Sequence, residues 1–161
     1  VENDHSAFYL FCLIEFETME IRTANLTDLN ALRRLENICF EKDAWPLLDL
    51  ITVLTWPDVI RLKAVESGEM IGFIAVDPRQ SAGVAWIATV GVDPRYQRRG
   101  IGTALMQACE SRTKLPAMKL TVRISNRGAI AMYEKLGYRT SDIWRDYYND
   151  GEDGLVMMKK L

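Results

Sequence analysis

Histidine is almost missing from this sequence and cysteine is scarce: His5 is the one imidazole, and Cys12, Cys39 and Cys109 are the only thiols among 161 residues. An odd number of scattered cysteines makes no disulfide framework, and a single histidine completes no zinc set, so the reading is a reduced, cytoplasmic protein with no metal. A Ser-His-Asp or Cys-His hydrolase would have to recruit His5 from what reads as a tail. Long apolar runs are missing too. The longest, residues 7–14, falls far short of the roughly 20 that a membrane span needs. Glu2 and Asp4 stand where a signal peptide would be positive. No membrane association is expected. Neither charge is in excess: Lys plus Arg number 20 against 22 Asp plus Glu, so the net charge of −2 gives no general pull toward nucleic acid. A cationic site must be local.

What remains is ordinary globular chemistry, with 48% apolar and 26% charged residues, in a length that suits one domain able to bury roughly 70% of its unfolded surface. Residues 1–18 read as an N-terminal extension ahead of a domain at 19–161. Phe8, Tyr9, Leu10, Phe11, Leu13 and Ile14 would be an aggregation hazard in water, so burial against the domain or a second subunit is expected, with a homodimer through the extension the favoured form.

From Met19 onward the pattern alternates between elements. Ile21 opens a short strand, and Leu26, Leu29, Leu32, Leu35 and Ile38 follow with the spacing of a helix, capped by Asn25 or Thr27. A second helix is predicted over 47–55, between Pro46 and Pro57. Strands are predicted over 60–66, 70–76 and 84–92, with turns at Ser67-Gly68, Asp77-Pro78 and Gly83. A helix over 100–113, a strand over 118–124 and a helix over 129–136 closed by Gly137 come next. Two strands, 138–148 and 155–161, end the chain around the turn Asn149-Asp150-Gly151. The order β, α, α, β, β, β, α, β, α, β, β is that of an α/β protein with a mixed sheet and no internal repeat.

Two motifs carry chemistry. Gln97, Arg98, Arg99, Gly100, Ile101, Gly102 and Thr103 run from a loop into a helix, where free N–H groups and the positive end of the macrodipole favour an anion such as pyrophosphate. Glycine keeps a Cβ from holding phosphates away, and Arg98 and Arg99 supply local positive charge. The spacing is neither a nucleotide P-loop, since no Lys follows, nor a dinucleotide fingerprint, since Leu105 stands where a third glycine would. The second motif starts with Asn126 ahead of a helix and places Tyr133 seven residues on, about two turns along the same face.

Together with Val90-Gly91-Val92-Asp93-Pro94 and the tail Tyr147-Tyr148-Asn149-Asp150-Gly151-Glu152-Asp153, these motifs resemble the GNAT superfamily of acetyl-CoA-dependent N-acetyltransferases. Within it the resemblance is to RimI-type enzymes that acetylate protein N-termini, across 19–161. It implies the GNAT fold, splayed between the fourth and fifth strands, with acetyl-CoA as co-substrate. The backbone of residues 98–103 would hold the pyrophosphate, with Gln97 beside it. Val90 and Val92 would bond the acetyl carbonyl and pantetheine arm, around a bulge at Gly91. Asn126 and Ala129 would contact the pantetheine side, and Tyr133 would protonate the departing thiolate.

The implied reaction is transfer of acetyl to a primary amine by direct attack in a ternary complex, most simply to the α-amine of an acceptor protein or peptide. Two alternatives stay open: a small amine such as a polyamine or aminoglycoside as acceptor, and a non-catalytic acyl-CoA-binding module. Phe40, Glu41, Thr121, Tyr147 and Tyr148 are the expected acceptor contacts.

One position departs from the resemblance. The general-base Glu of RimI-like enzymes is here Thr121, whose hydroxyl is no base at neutral pH. A water held by Thr121, with Tyr147, Tyr148 or Glu41 as relays, is the expected substitute.

Overall fold

The computed structural model describes residues 18–161. Of the N-terminal extension only Thr18 falls within them; His5, Cys12 and the expected dimer contact lie outside the described residues. Seven strands form one sheet: β1 (Glu20–Thr23), β2 (Ile60–Glu66), β3 (Glu69–Arg79), β4 (Val84–Val92), β5 (Ala117–Arg123), β6 (Arg139–Trp144) and β7 (Gly154–Lys160), in the order β1-β2-β3-β4-β5-β7-β6. Four helices connect them: α1 (Leu29–Cys39), α2 (Leu47–Thr55), α3 (Ile101–Glu110) and α4 (Arg127–Lys135). The element order is the predicted one, with short 3-10 turns added at Leu26–Asp28, Gln80–Ala82 and Pro94–Tyr96.

Central strand β3 explains the layering. Its residues alternate between two cores: Ile71, Ile74 and Val76 pack with Ile101, Leu105, Met106 and Cys109 of α3, whereas Met70, Phe73 and Ala75 pack with Leu32, Leu35, Leu50, Val53 and Leu54 of α1 and α2. A strand covered on both faces reads as a continuous apolar run, which is how its sequence reads.

Four expectations are corrected. Leu26 and Ile38, assigned to the apolar face of the first helix, are 51% and 45% exposed. A strict spacing of three turns through about 300° per step, so the stripe slips around the helix; the buried positions of α1 are Leu32, Leu35 and Glu36. Asn25 does cap this entry, accepting from Thr27 N–H at 2.9 Å.

Asp77-Pro78 is not a turn. Strand β3 continues to Arg79, and Pro78 pairs with Ala85. Its missing N–H does no harm because β2 stops pairing at Val76, leaving that edge of β3 free.

The bulge is not at Gly91 but at Ala88: Ala75 pairs with Thr89 and Val76 with Ile87, so Ala88 is the extra residue. Gly91 has a different reason to be glycine, since a Cβ there would meet Phe40 Cε2 at 3.1 Å and Cys39 Sγ at 3.2 Å.

The last two strands do not meet in a tight turn. Positive φ at Asp146 (49°) and Gly151 (83°) ends the extended path early, and residues 145–153 form a connection that folds back through Gly151 N–H to Tyr148 O at 2.8 Å.

Candidate active site

Strands β4 and β5 run parallel but pair only at Ala85 with Met118 and Trp86 with Lys119. Beyond those residues they diverge, and the bulge at Ala88 adds the bend and twist that part them. A cavity of about 550 Å³ occupies the opening, at the carboxyl ends of the two strands, where open α/β sheets receive ligands. Ile87, Ala88, Thr89 and Val90 of β4 form one wall, Leu120, Thr121, Val122 and Arg123 of β5 the other. Asn126, Ala129 and Tyr133 of α4 close one end, and residues from Glu36 to Trp45 close another. Unpaired strand edges facing one another give an extended ligand main-chain hydrogen bonds, as an added strand would.

Helix α4 begins just after β5 ends, and Asn126 at its start lines the opening; α3 follows β4 through residues 93–100, and residues 97–103 lie outside the cavity lining. Gly100 precedes α3 with φ +80°, and no side chain caps the helix. The first backbone N–H groups of α3, on Ile101, Gly102 and Thr103, are left to a ligand or solvent. Nothing lies within 4 Å of a Cβ built on Gly100, so its glycine serves the left-handed turn itself. Gly102 serves packing: a Cβ there would stand 3.0 Å from Met132 Sδ of α4. The close approach sets the start of α3 beside the turn of α4 that carries Tyr133. Of the loop arginines, Arg99 binds Glu66 at 2.6 and 3.0 Å, so its charge is spent on a buried carboxylate. Arg98, with φ +61°, has no ion pair among the described residues. Gln97 Nε2 donates to Val92 O at 3.1 Å, tying the loop to the end of β4.

Asn126 stands at the N-cap of α4. Its Oδ1 accepts from Ala129 N–H at 3.2 Å as a helix cap, which leaves the Nδ2 hydrogens for a ligand. Tyr133 is 5% exposed and stands edge-on to Tyr138 at 6.0 Å. Burial first, and the charge of Tyr148 second, push its phenol well above the ordinary value, so the hydroxyl stays protonated and can donate.

Phe40, Glu41, Thr121 and Tyr148 line the cavity, as does Val90, whereas Tyr147 lies outside the lining. The ring of Tyr147 packs between Trp144 at 5.2 Å and Tyr148 at 5.1 Å. Thr121 Oγ1 is buried and finds no hydrogen-bond partner among the described residues. An orphaned polar atom in a cavity wall is unfavourable until a ligand or water meets it.

Three functional features escaped the sequence reading. The first is Arg123. Its guanidinium donates to Asp43 Oδ2 at 2.6 and 2.9 Å, to Asp150 Oδ1 at 3.0 Å and to Glu152 Oε2 at 2.7 Å, and lies 4.0 Å from the centre of the Tyr148 ring. One side chain thereby joins the α1–α2 connection to the β6–β7 connection across the cavity mouth. No local pattern announces such a partner.

The second is Cys39, which lines the cavity while burial and then the charges of Glu36 and Asp93 push its thiol up to about 12. It is held as a thiol and is a poor nucleophile. The third is Glu36, a cavity-lining carboxyl that is only 4% exposed. Burial lifts its pKa to about 7, against the opposing hydrogen bond from Trp45 N–H at 3.4 Å. A signal for it exists: Glu36 lies four residues after Leu32, on one helical face.

The geometry agrees with comparisons to known proteins. The acetyltransferase (GNAT) family matches residues 29–138. An N-alpha-acetyltransferase of Sulfurisphaera tokodaii is 31% identical over 157 residues, spanning 88% of this chain and 92% of that protein. The catalytic subunit NAA10 of the N-terminal acetyltransferase A complex of Arabidopsis thaliana is 28% identical over 148 residues, 88% and 77% of the two chains. Among solved structures, the ribosomal-protein-S18-alanine N-acetyltransferase of Escherichia coli superposes with a TM-score of 0.80 at 29% identity, covering 89% of this chain and 94% of that one. An opened parallel seam, an uncapped helix start beside it and a buried phenol within it belong to one architecture: this chain is a member of the GNAT family of acetyltransferases.

Proposed function

We propose that this protein transfers acetyl from acetyl-CoA to the α-amine at the N-terminus of a protein or peptide, by direct attack in a ternary complex. The observation that carries the reading is Tyr133, buried in the lining of the β4–β5 opening and adjacent to Met132, which packs against Gly102 at the uncapped start of α3. The residues present fit the co-substrate. Amides of Ile101, Gly102 and Thr103, with Arg98, would hold a diphosphate; the β4 edge at Val90 and Val92, Asn126 Nδ2 and the orphaned Thr121 Oγ1 would hold an amide-bearing arm. When bound, acetyl-CoA supplies an activated carbonyl and a thiolate leaving group.

The protein's part is electrostatic and positional. A fixed N–H on the open edge at Val90 stabilises negative charge growing on the carbonyl oxygen, typically by a few kcal/mol. Tyr133 holds its proton until sulfur needs it. The protonated Cys39 thiol argues against an acyl-cysteine and for direct transfer.

Preference for an α-amine follows from its basicity. With a pKa near 7.8 an α-amine is about 14% neutral at pH 7, a penalty of about 1 kcal/mol, whereas a lysine near 10.4 is about 0.04% neutral, a penalty of about 4.6 kcal/mol. Arg123 already neutralises part of the acidic mouth formed by Asp43, Asp150 and Glu152, which suits a singly charged terminus better than a polyamine. The relatives named for N-terminal acetylation support the same acceptor.

The test is thiol release from acetyl-CoA with matched free-N-terminus peptides, acetyl-blocked lysine peptides and polyamines at pH 7. The free-N-terminus peptides are expected to react fastest. A lysine peptide or a polyamine turning over faster would overturn the acceptor assignment.

A further inference from the structure

We infer that Glu36 is the group that takes the proton from the incoming ammonium, standing in for the glutamate that Thr121 replaces; this rests on the acetyl-transfer reading above. Three observations carry it. Glu36 borders the same cavity as Tyr133 and Val90, from α1 instead of β5. Its carboxyl is buried in an otherwise apolar face of α1, between Leu32 and Leu35 and the chain leading to Trp45. Its Oε1 is fixed by Trp45 N–H at 3.4 Å, and no donor among the described residues reaches Oε2.

A carboxylate buried in such a place costs stability unless it is paired and hydrogen-bonded. The charged groups around it do not neutralise it. Arg123 on β5 is committed to Asp43, Asp150 and Glu152. Cys39 on α1, Tyr133 on α4 and Tyr148 before β7 are held protonated by burial, and Asp93 after β4 is bound by Arg95 at 2.8 Å. Glu41 and Lys42, on the mouth of the cavity, are exposed to solvent. The arriving ammonium is therefore the cation that the unpaired Oε2 awaits. Burial lifts the Glu36 pKa to about 7, close to that of an α-amine, where a general base works best.

The proton balance closes. Glu36 carboxylate removes one proton from the ammonium, freeing the nitrogen pair to form the N–C bond. As the C–S bond breaks, sulfur keeps its electron pair and takes the Tyr133 proton. The second proton lost by nitrogen restores Tyr133, and Glu36 releases its own through the cavity mouth to water.

Glu36→Gln keeps the shape and the oxygen that meets Trp45 N–H but cannot titrate. With a peptide of free N-terminus, kcat/KM of this variant is expected to fall about fivefold or more at pH 6.5–7. The deficit should shrink to within about threefold at pH 9, where the α-amine is neutral without help. Acetyl-CoA affinity, read by calorimetry, should change less than twofold. A deficit equal at all pH values, or none at all, would mean that Glu36 only positions the α1–α2 connection and would overturn the inference. Infrared difference spectra of the unaltered protein give an independent readout: a protonated carboxyl band present at pH 6 should vanish by pH 8 and be missing from the variant. Its absence at pH 6 would equally overturn it. No turnover of any amine by the unaltered protein would instead sink the acetyl-transfer reading.

Discussion

Arg123 and Asp43, 80 positions apart in sequence, meet at 2.6 Å across the mouth of the cavity. Because the same guanidinium also holds Asp150 and Glu152, it ties together two connections that are distant in sequence. Arg123→Met should leave three carboxylates without their cation and loosen both connections. The acceptor KM is expected to rise at least fivefold with acetyl-CoA affinity unchanged, alongside a loss of about 2 kcal/mol in denaturant unfolding. An unchanged acceptor KM would show that the network has no hold on the acceptor.

The same network sets a pH response. Arg123 holds the Asp150 carboxyl below its ordinary value, and hydrogen bonds from Ser125, then Arg123, do the same for Glu152. Groups with depressed folded pKa values contribute stability that is present above the unfolded pKa and lost as pH falls through the folded one. The stability that Arg123 confers through these carboxylates should therefore stay flat from pH 8 to 5 and fall only below about pH 4, read as the difference in denaturant unfolding between the unaltered protein and Arg123→Met.

Glu36 works in the opposite direction. Its folded pKa of about 7 lies above the unfolded value, so between these limits the native state binds more protons than the unfolded one. Stability attached to this group falls as pH rises from about 4.5 to 7, by about 3 kcal/mol in all. Glu36→Gln should remove that decline, so thermal scans at pH 8 are expected to give the variant the higher Tm. A lower Tm at pH 8 would contradict the buried, unpaired charge.

Tyr133→Phe removes one oxygen from a side chain otherwise packed in the core. A fall in kcat of about 10²-fold, with little change in acetyl-CoA affinity, is expected if the phenol protonates the leaving thiolate. Equal losses in binding and turnover would assign Tyr133 to holding the arm instead.

Gly100→Ala tests conformation alone, since its Cβ would enter open space at φ +80°. The strain of a left-handed alanine, about 1 kcal/mol, should appear as lost stability together with weaker acetyl-CoA binding, because the amides that follow turn with it. Gly102→Val should act differently, through contact with Met132, and lower stability even in the absence of any ligand.

Much of the architecture was legible without coordinates. Local chemistry decides where α2, β2 and β4 begin and end: proline brackets the helix, and a glycine turn stands at the end of β2 and at the start of β4. The site motifs at 97–103 and 126–133 were readable for the same reason. A helix start with glycine before it, or an asparagine cap two turns ahead of a tyrosine, is a short-range arrangement fixed by helical periodicity.

Other features depended on partners distant in sequence. Pro78 lies inside a strand because β2 ends opposite it, Gly91 answers to Phe40 and Cys39, and Tyr147 turns away from the cavity toward Trp144. The sequence by itself determined the order of elements, the glycine-led start of α3 and the tyrosine of the next helix, because each is written within a turn or two of chain. Only the tertiary structure decided where β4 and β5 part, that Arg123 closes the mouth and that Glu36 faces the cavity. Those outcomes are set by which segments become neighbours on a sheet, and no local propensity encodes them.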